Sequence, residues 1–116
     1  MTVRVPFGRT GMEITRVGFG AWAIGGAWQW GWGQVDDDES VAAVRRAVEL
    51  GLNWVDTAPV YGWGHSEDVV RRALEVFSDA DRPYVFTKTE PEPGDPDSYM
   101  RGDAESLRRG VESSLY

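Results

Sequence analysis

The amino-acid sequence predicts an α/β domain built on a parallel sheet. Short runs of β-branched and aromatic residues alternate with stretches whose apolar residues recur at helical spacing. Three predicted strands end at positions 20, 56 and 88, which are 36 and 32 residues apart. That is the length of a strand, a crossover helix and a parallel strand. Because such crossovers are right-handed, we expect the three strands to end at one edge of the same sheet.

A β-hairpin is predicted ahead of this alternation, with strands at residues 3–7 and 13–17 around a glycine-bounded turn at 8–11. The parallel strands follow at residues 17–20, 52–56 and 84–88. After the first of them, residues 21–35 form a loop rich in glycine and tryptophan, which is long enough to suggest a function.

Each of three predicted helices has a recognisable start. Asp36 with Glu39 fits a capping box, and Gly51 ends that first helix. Ser66 is expected to cap the second helix, and the third begins near Asp103, after a loop at 89–102. Val41, Val44 and Val48 form the apolar stripe expected on the first helix, and the buried side of the second is expected to carry Val69, Val70, Ala73, Leu74 and Phe77. The third helix carries Leu107, Val111 and Leu115 along one face.

Composition narrows the function classes. The 116 residues allow at most one domain, and 41% hydrophobic with 27% charged residues is typical of a soluble globular protein. A net charge of -7 argues against nucleic acid and anionic membranes as partners. The absence of cysteine excludes disulfides and thiolate metal sites. With no signal peptide or membrane span in the sequence, a cytoplasmic location is expected.

Three side chains with complementary chemistry are predicted to meet at the carboxyl edge of the sheet. Asp56 ends the second parallel strand, Lys88 ends the third, and Tyr61 follows Asp56 by five residues. An ammonium beside a phenol makes the phenol a better proton donor at neutral pH, and a carboxylate keeps the ammonium charged and oriented. Lys88 is the only lysine among twelve basic residues, at a position where arginine would not be equivalent. The sequence therefore predicts a proton donor for a developing alkoxide.

Simpler interpretations exist for the same residues. Asp56 is also a plausible turn former, Lys88 a solvated charge, and Tyr61 an aromatic cover at the end of the sheet. His65, the sole histidine, is best explained as a residue of the capping region, because one histidine without cysteine gives little support to a transition-metal site. Trp54 alternates with a strand valine and is expected in the core.

The glycine-rich loop leaves two alternatives open. Its tryptophans Trp28, Trp30 and Trp32 could wall a pocket or stack on a sugar. Gly18 and Gly20 begin a pattern similar to the dinucleotide-binding turn, but Ala23 replaces its third glycine.

Three stretches in this order, GRTGMEITRVGFGAW, VDTAPVYGWGHSE and VFTK, resemble the N-terminal part of the aldo-keto reductases. The resemblance implies a (β/α)₈ TIM barrel whose first three βα units follow an N-terminal hairpin, so that residues 1–116 would be the N-terminal portion of one barrel domain. It implies reduction of aldehydes and ketones with a nicotinamide cofactor, usually NADPH. By resemblance, Tyr61 would be the general acid, Lys88 the group that strengthens it and Asp56 the group that orients Lys88. Ala21 and Trp22, with Asp56, would lie against the nicotinamide and the substrate.

One departure from the family limits the expected activity. A barrel of this kind needs about 250 residues, and the family's catalytic histidine and phosphate-binding loops come after the third unit. His65 does not match that histidine. We therefore expect an incomplete barrel, inactive alone, whose open sheet edges favour self-association. Two alternatives are a non-catalytic, reductase-like regulatory subunit and a sugar-binding module. The sequence leaves open the substrate and the choice between NADP and NAD.

Overall fold

The computed structural model describes residues 2–89 and 102–115, which form two small sheets and three α-helices. In chain order the elements are β1 (Arg4–Pro6), β2 (Glu13–Thr15), β3 (Phe19–Gly20), a 3₁₀ turn (Ala23–Gly25), α1 (Asp37–Glu49), β4 (Trp54–Asp56), α2 (His65–Leu74), β5 (Tyr84–Phe86) and α3 (Ala104–Ser114). The predicted alternation of strands and helices is present.

The N-terminal hairpin forms as predicted. Strands β1 and β2 pair antiparallel, with Val5 opposite Ile14. Gly8 and Gly11 in the connecting turn have φ values of 57° and 79°, a region that glycine enters without steric cost. The ring of Phe7 stacks on that of Phe86 at 5.4 Å between centroids, which places the hairpin against the parallel sheet.

The second sheet is parallel, in the order β3-β4-β5. Gly20 pairs with Asp56, and Asp56 pairs with Phe86, so the three strands end side by side at one edge, as predicted. The strands are shorter than predicted, and Lys88 lies two residues beyond the end of β5. In the described part of the chain, β3 and β5 each have one unpaired edge, so the sheet is open.

Helices α1 and α2 cover one face of this sheet. Their buried residues join those of the strands and loops in one core, made of Ala21, Ile24, Val41, Val44, Val55, Val69, Val70, Ala73 and Leu74. The Asp36 carboxylate caps α1 by accepting hydrogen bonds from the backbone N–H groups of Asp38 and Glu39, at 2.8 and 3.1 Å. Phe77 lies beyond the end of α2 and is only partly buried against the core.

The predicted start of α2 is wrong. Gly64, in a left-handed conformation with φ 95°, is the N-cap residue, and no side chain caps the helix. Ser66 lies inside the first turn and is completely buried, with its hydroxyl bonded to other segments. The polar residues at the predicted helix start did not show whether the serine caps the helix or is buried.

The third helix begins as predicted, with Asp103 capping α3 by accepting from the N–H of Ser106 at 3.0 Å. No residue of α3 is buried, so its apolar stripe lies at the surface. The prediction for Trp54 is wrong. Trp54 is half-buried, because its ring covers Gly18 while its Nε1 donates to the carbonyl of Thr15 at 2.8 Å. Most of the predicted loop at 89–102 lies outside the described residues.

No helix in the described ranges is long and apolar enough to cross a membrane.

Candidate active site

The structure brings Asp56, Tyr61 and Lys88 together at the carboxyl edge of the parallel sheet. The Lys88 Nζ lies 3.0 Å from Asp56 Oδ2 and 3.3 Å from the Tyr61 phenol oxygen. It also lies 5.0 Å from the centroid of the Tyr61 ring. The predicted proximity of the three side chains is thus present in the structure.

Lys88 has a third partner that the sequence did not suggest. Its Nζ donates to the backbone carbonyl of Thr57 at 2.9 Å. An ammonium has three N–H donors and no acceptor, so Asp56, Tyr61 and Thr57 account for all three. Because Lys88 donates to the phenol oxygen of Tyr61, the hydrogen of that phenol stays available for another acceptor.

The electrostatic balance keeps Lys88 charged. Partial burial alone would lower the pKa of Lys88, but the hydrogen bonds to Asp56 and Tyr61 and the Asp56 charge outweigh that effect, so the pKa is raised above its ordinary value. The Lys88 and Asp56 side chains are each 40% exposed. The site is therefore an open one in which the lysine remains an ammonium at neutral pH.

A close backbone contact fixes the loop that carries Tyr61. Gly62 has φ 68°, and a Cβ placed there would lie 2.0 Å from the carbonyl oxygen of Gly25. A Cβ on Gly25 would lie 2.9 Å from the carbonyl carbon of Tyr61. Only glycine permits this approach from both sides, so the 3₁₀ turn supports the loop directly beneath Tyr61.

Aromatic rings surround the phenol. Trp22 stacks with Tyr61 at 6.4 Å between centroids, and Trp28 lies at 6.2 Å from it. Trp28 also contacts Trp30 at 5.6 Å and Trp63 at 6.3 Å, both edge to face. Of the tryptophans predicted to wall a pocket, Trp28 and Trp30 belong to this cluster, whereas Trp32 is 77% exposed.

The two predicted cofactor contacts after β3 occupy different environments. Trp22 is 47% exposed and offers a ring face beside the Lys88 cluster. Ala21 is completely buried, its N–H donates to the carbonyl of Asp56 at 2.9 Å, and its own carbonyl accepts from Ser66 Oγ at 2.8 Å. Ala21 therefore anchors the segment from which Trp22 projects.

His65 stands apart from the cluster. It is the first residue of α2, and its Nε2 lies 2.8 Å from Asp37 Oδ1, so it joins the starts of α1 and α2. Within the described residues, no group of three or more histidine, aspartate or glutamate side chains is arranged to hold a metal ion.

Sequence reasoning missed Thr57 and Ser66. Both are polar and at most 1% exposed, and their hydroxyl oxygens are 2.9 Å apart. A threonine after a strand and a serine at a helix start are ordinary residues at such places. Only their burial beside the Lys88 cluster sets them apart, and no periodicity in the sequence reveals it.

The fold and the site together define a βα protein that presents a lysine-supported phenol at the carboxyl edge of a parallel sheet. The aldo/keto reductase family profile matches residues 16–116. The chain belongs to the aldo/keto reductase family, and it corresponds to the N-terminal part of that family's longer members.

Individual relatives agree with this assignment. The chain is 41% identical to the aldo-keto reductase YhdN of Bacillus subtilis over 80 residues, covering 69% of this chain and 23% of that protein. It is 32% identical to the NADH-specific methylglyoxal reductase of Escherichia coli, over 97% of this chain and 37% of that protein. The chain thus spans roughly a quarter to two fifths of these relatives' length.

Solved structures give the same result. The glycerol dehydrogenase of Gluconobacter oxydans superposes with a TM-score of 0.75 and 35% identity, over 97% of this chain and 34% of that one. An aldo/keto reductase from Klebsiella pneumoniae, solved with NADP and acetate, superposes with a TM-score of 0.63 and 28% identity, over 89% of this chain and 31% of that one. These likenesses imply the family's (β/α)₈ barrel fold, of which the described residues form an α/β portion with an open sheet.

Proposed function

We propose that this chain supplies the proton-donating part of an NAD(P)H-dependent reductase that converts aldehydes or ketones to alcohols. Residues 1–116 would then be the N-terminal portion of one barrel domain and would hold its first three βα units. The observation that carries the proposal is the position of Lys88 Nζ, within hydrogen-bond distance of both Asp56 and the Tyr61 phenol.

In this proposal Tyr61 is the general acid. A carbonyl oxygen that gains negative charge needs a proton donor within hydrogen-bond reach. The Tyr61 hydroxyl accepts from Lys88, so its own hydrogen can point to such an oxygen. The nearby ammonium stabilises the charge that the phenol acquires when it gives up the proton.

Lys88 and Asp56 have supporting roles. The raised pKa of Lys88 keeps the ammonium protonated, so it stabilises a phenolate rather than competing for its proton. Asp56 fixes the ammonium through a 3.0 Å contact at the end of β4. Tyr61, Lys88 and Asp56 are the catalytic residues that we propose.

The residues beside the cluster fit a nicotinamide. Trp22 offers an exposed aromatic face next to Tyr61, and the Asp56 side chain is partly exposed. A nicotinamide cofactor, when bound, supplies the hydride. We propose that Trp22, Asp56 and the segment anchored by Ala21 face the nicotinamide end. NADPH is our proposed cofactor, supported by the Klebsiella structure with NADP, although the Escherichia coli relative is NADH-specific.

The partner that this site accepts is a small carbonyl compound. The proton-donating phenol of Tyr61 lies between tryptophan rings, an environment that suits a carbonyl group with a flat or apolar substituent. Holding substrate and hydride donor in register contributes many kcal/mol of the barrier reduction. The phosphate-binding loops of such barrels follow strands seven and eight, so we expect the 116-residue chain alone to show no measurable activity.

A chimera tests the proposed function. This chain would replace the superposed segment of the Klebsiella pneumoniae reductase solved with NADP, which covers 89% of this chain, and the rest of that reductase would supply the remaining barrel. We expect the chimera to oxidise NADPH only when an aldehyde is present and to form the alcohol in equal amount, and we expect the isolated chain to do neither. A folded chimera that binds NADPH but forms no alcohol from any of a panel of aldehydes and ketones would contradict the proposal.

A further inference from the structure

Two buried hydroxyl groups connect the loops on either side of the Lys88 cluster. Thr57 is 1% exposed and Ser66 is fully buried. Ser66 Oγ donates to the carbonyl of Ala21 at 2.8 Å, and it lies 2.9 Å from Thr57 Oγ1. Because the single Ser66 hydrogen is used on Ala21, the Thr57 hydroxyl must be the donor to Ser66.

Thr57 links this buried pair to the ammonium. Its carbonyl accepts from Lys88 Nζ at 2.9 Å, while its N–H donates to the carbonyl of Phe86 at 2.8 Å. The Thr57 side chain is therefore held by Ser66 of α2, while its carbonyl and N–H are held by Lys88 and Phe86, at and just beyond the end of β5. Rotation of the 57–58 peptide would break the Lys88 contact, and the bond from Thr57 Oγ1 to Ser66 opposes such a rotation.

Ser66 also holds the neighbouring strand end. Its acceptor, Ala21, donates through its own N–H to the carbonyl of Asp56. One serine hydroxyl thus ties the loop after β3, which carries Trp22, to the loop after β4, which carries Thr57 and Tyr61. Buried polar groups with every partner in place restrict the arrangements that a site can adopt.

We propose that Ser66 is a positioning residue: through Thr57 it fixes the carbonyl that serves as the third acceptor of Lys88, and so holds the ammonium between Asp56 and Tyr61. This inference rests on the proposed function for its importance to catalysis. Its physical content can be tested without any activity.

The test uses the fact that Lys88 is the only lysine. A chain labelled with lysine carrying ¹⁵N at the side-chain nitrogen gives one ammonium resonance, whose hydrogen exchange is measured at mildly acidic pH. Hydrogen exchange reports local opening of the bonds that protect the group. We expect Ser66→Ala to speed exchange roughly three- to tenfold, the factor that corresponds to one hydrogen bond of ordinary net strength.

Three variants separate positioning from general stability. Ser40→Ala removes another buried hydroxyl, which donates to the carbonyl of Asp36, the N-cap residue of α1. This hydroxyl lies away from the cluster, so the variant should leave the exchange unchanged. Thr57→Val breaks the same link from its other end and should speed exchange as Ser66→Ala does. Thr57→Ser keeps the hydroxyl and should restore slow exchange.

Each outcome decides the inference. Unchanged exchange in a folded Ser66→Ala chain would overturn it, and if that variant does not fold, unchanged exchange in Thr57→Val would do so. Equal acceleration by Ser40→Ala would also overturn it, since the effect would then be one of overall stability. Asp56→Asn in the same assay distinguishes the two proposals. If Asp56→Asn leaves the exchange of the Lys88 ammonium unchanged, the cluster behind the proposed function is contradicted. If Asp56→Asn changes the exchange and Ser66→Ala does not, only the positioning role of Ser66 is contradicted.

Discussion

At the scale of single residues, the cluster is held together by one ammonium that donates hydrogen bonds to three oxygens of different kinds. Asp56 contributes a charge, Thr57 a fixed backbone dipole and Tyr61 a phenol whose hydrogen stays free. The carboxylate and the phenol also determine the direction of the pKa shift of Lys88. Burial acts against the ammonium, and these two partners overcome it.

Replacing Asp56 with Asn tests this balance. Burial of Lys88 would remain while the opposing charge is lost, so the pKa of Lys88 should fall below its value in the parent chain. A titration followed by NMR of the single ¹³C-labelled lysine side chain measures it directly. Glu49→Gln, a substitution at an exposed ion pair on α1, serves as the charge-matched control and should leave the Lys88 titration unchanged. An unshifted Lys88 pKa in Asp56→Asn would contradict the assignment of that ion pair.

The same shift gives a pH dependence with a definite sign. A group whose pKa is raised on folding binds its proton more tightly in the folded state, so its contribution to stability is complete below the unfolded pKa and disappears as pH rises through the folded pKa. The stability advantage of the parent over Asp56→Asn should therefore be constant from neutral to mildly alkaline pH. It should shrink only above the ordinary lysine pKa of 10.5. Urea unfolding of both chains across this range checks the prediction, and an advantage that shrinks already near neutrality would contradict it.

The positions of the site residues could be predicted from the sequence where they follow from strand topology. Asp56 ends one parallel strand and Lys88 lies just beyond the end of the next, so the strand pattern of the sequence placed them together, and Tyr61 had only to fold back over one short loop. Thr57 and Ser66 were not predictable, because their importance comes from burial and from hydrogen bonds between segments nine and 45 residues apart. No local pattern encodes such contacts.

At the scale of elements, the start of α1 depends on a side-chain cap. Asp36 accepts from two backbone N–H groups that have no partner inside the helix. Asp36→Ala should lower the free energy of unfolding by about 1 kcal/mol, whereas Asp36→Asn should cost much less, because asparagine is an equally good cap. Urea denaturation measures both. Equal losses for the two variants would show that the Asp36 charge, and not its hydrogen bonds, stabilises the helix.

The loop carrying Tyr61 provides a second element-scale prediction. Gly62 and Gly64 both have positive φ, 68° and 95°, so alanine at either position costs roughly 1 kcal/mol of backbone strain. Only at Gly62 would the new Cβ also meet the Gly25 carbonyl, whereas nothing lies within 4 Å at Gly64.

Gly62→Ala should therefore move the loop and weaken the near-ultraviolet circular dichroism that arises from Tyr61 and its neighbouring tryptophans. Gly64→Ala should lose stability but keep that spectrum. If both spectra were unchanged, the backbone contact between residues 25 and 62 would not be what positions Tyr61.

Element types were more predictable than their ends. The β-hairpin, the parallel strands that end at one edge of the sheet and the cap of α1 were all predicted from the sequence. The start of α2 was not predicted correctly, because Gly64, in a left-handed conformation, occupies the N-cap position that serine often occupies. Helix α3 has the predicted apolar stripe, but the stripe is exposed, since a periodic pattern indicates which face is apolar and not what covers it.

At the scale of the whole molecule, the described parallel sheet has two unpaired edges. Helix α3 and its C-cap residue present Leu107, Val111 and Leu115 at 40%, 48% and 76% exposure. Unpaired strand edges and apolar surface both favour association. We expect the isolated chain to self-associate as its concentration rises through the micromolar range.

Sedimentation velocity measures this association. Val85→Lys, on the edge strand β5, should reduce it, because a lysine on an edge strand opposes pairing with another chain. Val3→Lys adds the same charge at an exposed position outside the strands and should have little effect. A constant monomer mass at all concentrations would contradict the prediction.

The whole-molecule fold was predictable only through the resemblance to a family. Strand spacing predicts a parallel sheet, but three strands are compatible with several α/β architectures, and closure into a barrel needs more strands than the described residues form. The proposed role of the cluster likewise depends on a cofactor held by a complete barrel.

The most direct test of the proposed role is the turnover number of the chimera when Tyr61 is changed to Phe. Phenylalanine keeps the ring beside Trp22 and Trp28 and removes only the hydroxyl. If Tyr61 donates the proton, Tyr61→Phe should lower kcat by roughly 10²–10⁴-fold, the usual contribution of general acid catalysis. The dissociation constant for NADPH should stay within about threefold of the parent value, a change of less than 1 kcal/mol. Tyr84→Phe, which removes a phenol at the opposite end of β5, should retain the parental kcat. A Tyr61→Phe chimera that reduces aldehydes at the parental rate would show that another group is the acid.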